Sequence, residues 1–275
     1  MDYVDLSDHD FKRFSDLVYQ KCGINLHDGK KTLVRARLGK RLRQGGFKDF
    51  NSYYRFVSQS DNEQELVHLL DAISTNLTSF FREEKHFVFL KEKVFPVLEK
   101  EKRKRIQIWS AGCSSGEEPY SLAMSSLEYF GVNGAVDIQI LASDISTRVL
   151  SQAQRGVYRE ERVINIKPPF LRKYFQRGVG AQEGNVRVKG FIRDRVRFER
   201  INLMEPFPFK ERFDVIFCRN VMIYFDKTTQ ERLVNKFYEA LGTGGYLFIG
   251  HSESLTGVNH PFKYTMPTVY CRNYA

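Results

Sequence analysis

Two acidic side chains stand where a parallel α/β sheet presents its ligands. Asp144 closes the apolar stretch Asp137-Ile-Gln-Ile-Leu-Ala-Ser-Asp144, which reads as a strand. In nucleotide-binding folds an acid at such a strand end, here 28 residues beyond Gly116, accepts the two ribose hydroxyls. Ser146 is available to cap the helix that follows, which leaves Asp144 for a ligand. Glu117 and Glu118 open a helix after a loop of small residues, Ser110 to Gly116, where negative charge suits the helix dipole. Ser115 and Glu118 have capping-box spacing, but Pro119 sits deeper than the first helical position and disturbs that box. A carboxylate beside the loop repels phosphate. It favours an adenosyl cofactor without phosphate, such as S-adenosylmethionine, whose sulfonium and amino group are positive.

Other chemistries find less support. The strand Phe213 to Cys218 ends in Phe217-Cys-Arg-Asn-Val-Met-Ile-Tyr-Phe225, at the edge of the same crevice. The (D/N)PPY of an amino-methylating DNA enzyme is absent there. Cys218 lacks a preceding proline, which speaks against a cytosine-attacking thiol. Cys22, Cys113, Cys218 and Cys271 are far apart, with no CxxC, and the histidines form no HExxH. No metal site is expected, and the cysteines fit reduced thiols in a cytoplasmic protein.

The elements that must position these residues fall into two classes. Residues 1–75 read as all-helical, with Phe11, Phe14, Leu17 and Val18 at helical spacing, a stop at Gly23, and a second helix from near Lys30 to Gly45-Gly46. A third helix fits Phe50 to Val57 and a fourth Glu63 to Ile73. Residues 76–105 form a linker whose helix, with Phe87, Leu90 and Val94 on one face, is expected to end around Pro96. From Ile106 onwards strands and helices alternate, which means a mostly parallel sheet covered on both faces over 106–275. Its helices are placed at 117–130, 147–155 and 230–241, and its later strands at 195–201, 213–218, 244–250 and 268–271. One stretch, about 165–195, breaks the alternation. Its glycines and the Val186/Val188 alternation predict a short helix, Phe170 to Gln176, and a small antiparallel hairpin inserted in the sheet domain.

The chain of 275 residues carries a net charge of +10, which suggests an acidic partner. Much of the excess sits on the second helix, where Lys30, Lys31, Arg35, Arg37, Lys40, Arg41 and Arg43 meet no acid between Asp28 and Asp49. No aromatics interleave with these charges, so stacking on bases is not indicated. No apolar run reaches the roughly 18–20 residues of a membrane span, and the N-terminus lacks the pattern of a signal peptide.

Five stretches in order resemble one family, the CheR chemotaxis-receptor methyltransferases. They are Thr75-Asn-Leu-Thr-Ser-Phe-Phe-Arg-Glu83, Trp109-Ser-Ala-Gly-Cys-Ser-Ser-Gly-Glu-Glu-Pro-Tyr-Ser121, Ala142-Ser-Asp-Ile145, Ile216-Phe-Cys-Arg-Asn-Val-Met-Ile-Tyr-Phe225 and Gly250-His-Ser-Glu-Ser254. The resemblance covers nearly the whole chain. It implies an α/β, Rossmann-like S-adenosylmethionine-dependent methyltransferase sheet, an N-terminal all-helical receptor-recognition domain, and the small inserted antiparallel β-subdomain. The implied reaction moves a methyl group from S-adenosyl-L-methionine to glutamate carboxylates on the cytoplasmic helices of chemoreceptors, leaving S-adenosyl-L-homocysteine.

Carried over by motif, the cofactor contacts are Asn76, Thr78, Arg82, Glu118, Asp144, Asn202, Leu203, Arg219 and Asn220. Arg82 and Tyr224 match positions near the transferred methyl and the incoming carboxylate. The basic helix then becomes a docking face for glutamate-rich helices, with Arg35, Arg37, Lys40 and Arg41 as its candidates. In some members the β-subdomain also binds a peptide at the receptor C-terminus by strand addition. A monomer, with neither membrane insertion nor nucleic acid, is the expected state. A carboxylate with a pKa near 4.3 is already a nucleophile at neutral pH, so alignment rather than a general base is the demand. Two rivals stand beside this reading: a nucleic-acid methyltransferase of the same fold, and a non-catalytic regulator that binds S-adenosylmethionine.

Overall fold

The computed structural model describes residues 5–59, 63–74, 76–132 and 134–273. Thr75, at the expected domain junction, lies outside them. Helix α1 (Asp8–Cys22) is capped by the Ser7 side chain, which accepts from the Asp10 N–H, and ends at Gly23 with φ 74°. A single 3₁₀ turn leads into α2 (Lys31–Gly45), which buries Val34, Leu38 and Leu42. A capping box between Asp49 and Ser52 starts α3 (Phe50–Val57), and α4 (Glu63–Ile73) closes the group. Phe14, Leu38, Phe50, Tyr53 and Leu69 are the centre of this helical core.

The linker helix differs from expectation. It runs as α5 (Glu84–Phe89), a π turn (Leu90–Val94) and α6 (Phe95–Lys100), so Pro96 does not end it. In the wide turn the Phe95 N–H reaches back to the Leu90 carbonyl, and Pro96 falls in the first turn of the renewed helix. There its missing N–H costs little, because the hydrogen-bond ladder has just been reset.

The remaining chain forms β1 (Arg105–Ala111), α7 (Glu117–Phe130), β2 (Asp137–Asp144), α8 (Thr147–Arg155), β3 (Val157–Arg159), α9 (Pro168–Tyr174), β4 (Phe175–Arg177), β5 (Asn185–Val188), α10 (Gly190–Arg193), β6 (Val196–Arg200), β7 (Phe213–Cys218), α11 (Lys227–Ala240), β8 (Leu241–Ile249), β9 (Lys263–Met266) and β10 (Val269–Cys271). The main sheet has the order β6-β2-β1-β7-β8-β10-β9. Neighbours from β6 to β8 are parallel, and β10 and β9 add an antiparallel edge. The order reverses between β1 and β7, which puts a crevice beyond their carboxyl ends. Alternation along β1 supplies both faces: Ile106 and Ile108 join one core, Trp109 and Ala111 the other. Trp109 is boxed by Phe207, Phe209, Phe213 and Phe237.

Several boundaries move. The inserted sheet is three-stranded, β3-β5-β4, and its first strand lies at Val157–Arg159, ahead of the expected 165–195 segment. Three residues between charges show no readable period, and β3 exists because Tyr158 pairs with Val186. Its helix ends at Tyr174, and Phe175–Arg177 is strand. Helix α11 begins at Lys227 because Asp226 caps it, its side chain accepting from the Thr229 N–H. Strand β8 starts at Leu241, and β9 had no counterpart in the sequence reading.

The helical domain docks directly on the sheet domain. Tyr19 donates to Asp226 at 2.6 Å, Asn202 donates to the Lys21 carbonyl at 2.7 Å, and the Asn25 N–H donates to the Tyr224 carbonyl at 2.8 Å. Gly23 permits this approach: a Cβ there would lie 2.6 Å from the Met204 sulfur. We expect Tyr19→Phe to cost about 1–2 kcal/mol through the lost bond to a carboxylate. Thermal melting should show a drop of a few degrees; an unchanged melting temperature would show that the contact does not hold the domains.

Candidate functional site

The crevice beyond β1 and β7 opens into a cleft of roughly 1270 Å³, mouth included. All ten cofactor and methyl-transfer candidates from the sequence line it: Asn76, Thr78, Arg82, Glu118, Asp144, Asn202, Leu203, Arg219, Asn220 and Tyr224. The helical domain supplies a wall that the sequence reading did not foresee, through Cys22, Ile24, Asn25, Leu26, Lys30 and Leu33. No local motif marks that wall; it follows from the docking just described.

Each acid is held by local chain geometry. Asp144 is buried, with one carboxylate oxygen accepting from the Ser114 N–H and the other from the Ser146 N–H, both at 2.9 Å. Ser146 caps α8 through the Val149 N–H, so Asp144 is free of that task. Burial pushes the Asp144 carboxyl above the usual range, with those backbone donors pulling back. The Ser115–Glu118 box, which Pro119 already disfavours, does not form. Gly116 is the α7 N-cap at φ 96°, Ser115 donates to Glu117, and Glu118 turns inward to accept from Ser110 at 2.7 Å. Burial also raises Glu118, against the pull of Arg219. Gly116 is required there, because a Cβ would meet Ala153 at 2.8 Å and the Tyr158 hydroxyl at 2.9 Å.

Arg219 joins these parts. Its side chain is 2% exposed and lies 3.2 Å from Glu83 and 3.5 Å from Glu118. It also donates to the Arg82 carbonyl and sits over the Phe217 ring at 5.6 Å. Burial works to raise the Glu83 carboxyl, but Arg219 and then the His251 N–H draw it below the usual range. Glu83 thus has a structural task, and its contact with the neighbouring Arg82 is secondary. That contact is long, 4.0 Å, and Arg82 donates instead to the Leu77 carbonyl at 2.9 Å. His86 and His251 also crowd Glu83, with ligand atoms of the three residues within 4.8 Å of one another. Glu83 and His86 are three residues apart, but His251 is too distant in sequence for any spacing rule, and the Arg219 guanidinium supplies the positive charge beside them. Burial, then Arg219, lowers the His86 imidazole to about 3.

The segment 76–83 forms a strap across the start of α7. The Asn76 carbonyl accepts from Ser114, the Phe81 N–H donates to Ser121, and the Thr78 carbonyl accepts from Arg162. Phe80 anchors it by edge contacts with Tyr158 and Phe175. On the far side, Glu253 fixes the loop after β7, accepting from the backbone N–H groups of Gly250, Asn220 and Ile223. It lies in the Gly250–Ser254 stretch, where no spacing or local pattern singles it out. Asn202 is tied to Lys21 and Glu205, and Tyr224 presents a half-buried side chain beside them.

The four docking candidates are not part of the cleft lining. Arg37 donates to the Ile73 and Ser74 carbonyls at the end of α4, and Arg41 pairs through two nitrogens with Glu65. Arg35 meets Asp5 at 3.2 Å, and Lys40 is exposed. Two of the charges that stood out in sequence therefore bind α2 to α4. Among the described residues, no helix is long and apolar enough to cross a membrane.

Two family descriptions match the chain: "CheR methyltransferase, all-alpha domain" over residues 9–74, and "CheR methyltransferase, SAM binding domain" over residues 76–271. The chemotaxis protein methyltransferase of Borreliella burgdorferi is 44% identical, with 98% of this chain and 96% of the relative covered. That of Salmonella typhimurium is 41% identical, over 96% of this chain and 90% of the relative. Chemotaxis protein methyltransferase 2 of Pseudomonas aeruginosa is 40% identical, over 95% and 92%.

The lining suits a positively charged, phosphate-free ligand, because two carboxylates, the buried Asp144 and the largely buried Glu118, line the cleft. Asp144→Asn should weaken S-adenosylmethionine binding by about 2 kcal/mol, roughly 30-fold in Kd. Unchanged affinity in calorimetry would remove Asp144 from the binding set. A pH dependence follows from the raised pKa values. Protonating either acid reduces the negative charge that lines the cleft, so affinity for a cationic cofactor should fall with decreasing pH, starting above the ordinary range near 4. Titrations from pH 7.5 down through the ordinary carboxylate range that show no loss would contradict this.

Proposed function

The chain belongs to the CheR methyltransferase family, and on that premise we propose that it transfers a methyl group from S-adenosylmethionine to glutamate side chains of chemoreceptors. The observation that carries the reading is the convergence of the family's motifs on one cleft, with Glu118 and Asp144 inside and Arg82 and Tyr224 also in its lining. We assign receptor recognition to residues 1–75, closure over the cofactor to 76–105, and methyl transfer to 106–275. The edges of the three-stranded sheet, β3 and β4, offer backbone groups to which a receptor C-terminal peptide could add as a strand.

Bound S-adenosylmethionine would supply an electrophilic methyl on a cationic sulfur. The chain's own part is to bind, align and exclude water. Asp144 offers acceptors for the ribose hydroxyls, and Glu118 offers charge at the helix start. Arg82, about one-third exposed, can hold a carboxylate at the mouth without taking its proton. Tyr224 is placed by the docked helical domain through the Asn25 bond. An ionised carboxylate attacks the methyl carbon directly, so no base need be found. The cleft agrees with that economy. Among the described residues its lining holds no histidine, and burial raises the Cys22 thiol to about 11. Asp144 and Glu118 are occupied by backbone donors and by Ser110 and Arg219.

A nucleic-acid substrate is less well supported, because Arg37 and Arg41 on the basic helix have intramolecular partners. The deciding experiment is transfer of radiolabelled methyl to receptor-containing membranes. Base-labile label on glutamate is expected, and label on nucleic acid or none at all would defeat the proposal. Arg82→Ala should reduce kcat at saturating cofactor by roughly 10²-fold through lost positioning, beyond any weakening of cofactor binding. A change confined to cofactor Kd would instead make Arg82 a binding residue alone.

A further inference from the structure

A second groove lies beside the cleft, on the other side of Asn76. It has a volume of roughly 970 Å³, mouth included, and runs between α8 and β3, with Asn76 and Ser115 as its floor towards the cofactor loop. Asn76 lines both cavities, so the beginning of the strap is their shared wall. Three arginines face the groove: Arg148 from α8, and Arg159 and Arg162 from β3 and the turn after it. Arg162 is neutralised by the buried Glu117 and also donates to the Thr78 carbonyl. Arg148 and Arg159 are exposed, and among the described residues neither makes a salt bridge or hydrogen bond. One acid, Glu161, also lines the groove and is exposed. Arg148 lies close enough to Arg37 of α2 for their charges to repel. The groove therefore continues the positive field of the helical domain across α8 to the inserted sheet, past the strap and its exposed Leu77.

Unpaired guanidiniums beside a concave surface match carboxylates, which they bind through two parallel hydrogen bonds. The polar neighbours, Gln152 and Asn185, can add donors, while the Tyr158 ring is buried and offers no face for a base. We propose that this groove is an accessory substrate site, in which Arg148 and Arg159 bind a neighbouring carboxylate of the same acidic protein segment whose glutamate enters the cleft. The inference rests on the reading of the substrate as an acidic protein helix, and names residues that orient it. On such a helix, acids three or four positions apart stand on one face, about 5–6 Å apart. One glutamate at the cleft mouth then leaves further acids on the same helix face for groups flanking the strap. Arg148 and Arg159 act on docking and register, not on the methyl group.

The test is binding of a fluorescent, glutamate-rich helical peptide to the full chain saturated with S-adenosylhomocysteine, followed by anisotropy. Wild type should bind in a salt-sensitive manner, and Arg148→Glu/Arg159→Glu should bind at least roughly tenfold more weakly. Arg148→Lys/Arg159→Lys should recover part of that loss. Melting temperature and S-adenosylmethionine affinity should stay at wild-type values, which separates docking from misfolding. With receptor membranes, the reversed variant should raise KM for receptor by a similar factor and leave kcat unchanged. Peptide affinity within twofold of wild type would overturn the proposal. So would a single-stranded oligonucleotide that outcompetes the peptide from wild type but not from the reversed variant. Absence of base-labile label with wild-type protein would instead count against the glutamate methyltransfer reading, since peptide binding is measured without it.

Discussion

A buried guanidinium is the constraint on which the cleft depends. Arg219 is almost fully removed from water, and an unpaired charge there would cost several kcal/mol. It is matched by Glu83, Glu118 and the Arg82 carbonyl. These partners come from the strap and from the first turn of α7, while Arg219 itself follows β7. Satisfying one charge therefore brings together three chain segments more than thirty residues apart. It also leaves Arg82 with its side chain at the mouth and its backbone fixed behind it.

Backbone strain gathers around the same charge. Phe81, Glu83, Ser114 and Asn220 all adopt positive φ, between 50° and 61°. Such conformations are costly for residues with a Cβ and persist where surrounding bonds over-determine them. Those bonds are present. The Phe81 N–H is held by Ser121, the Ser114 N–H by Asp144, and the Asn220 N–H by Glu253. Glu253 pays out three backbone bonds from one carboxylate, although burial keeps its pKa high. The cleft is shaped by these side chains before any ligand arrives, which is the pre-organisation that aligned methyl transfer needs.

Charge is distributed by burial more than by composition. The run of cations on α2 looked like one surface, yet Arg41 is spent on Glu65 and Arg37 on the end of α4. Among the described residues, exposed guanidiniums without a partner also lie away from α2, at Arg148 on α8 and Arg159 on β3. A formal count of +10 says that an acidic partner is favoured; only partner contacts within the fold say which side chains remain to meet it.

The sequence alone determined the alternation of strands and helices, the helical domain with its four helices, and the acids at the ends of β1's loop and β2. These are local features: period, capping residues and small-residue turns read directly from neighbours in the chain. The boundaries of α3, α4, α7 and β2 follow from them closely. Tertiary structure decided the rest. The helix through Pro96 depends on a π turn, and β3 on pairing with β5, neither of which leaves a local period. The cleft wall from α1 and α2, the role of Glu83 and Glu253, and the cluster of residues 83, 86 and 251 arise from contacts across more than thirty residues to more than one hundred and sixty. Charge pairing and close packing act on distance in space, so their partners could be found only once the chain had been folded.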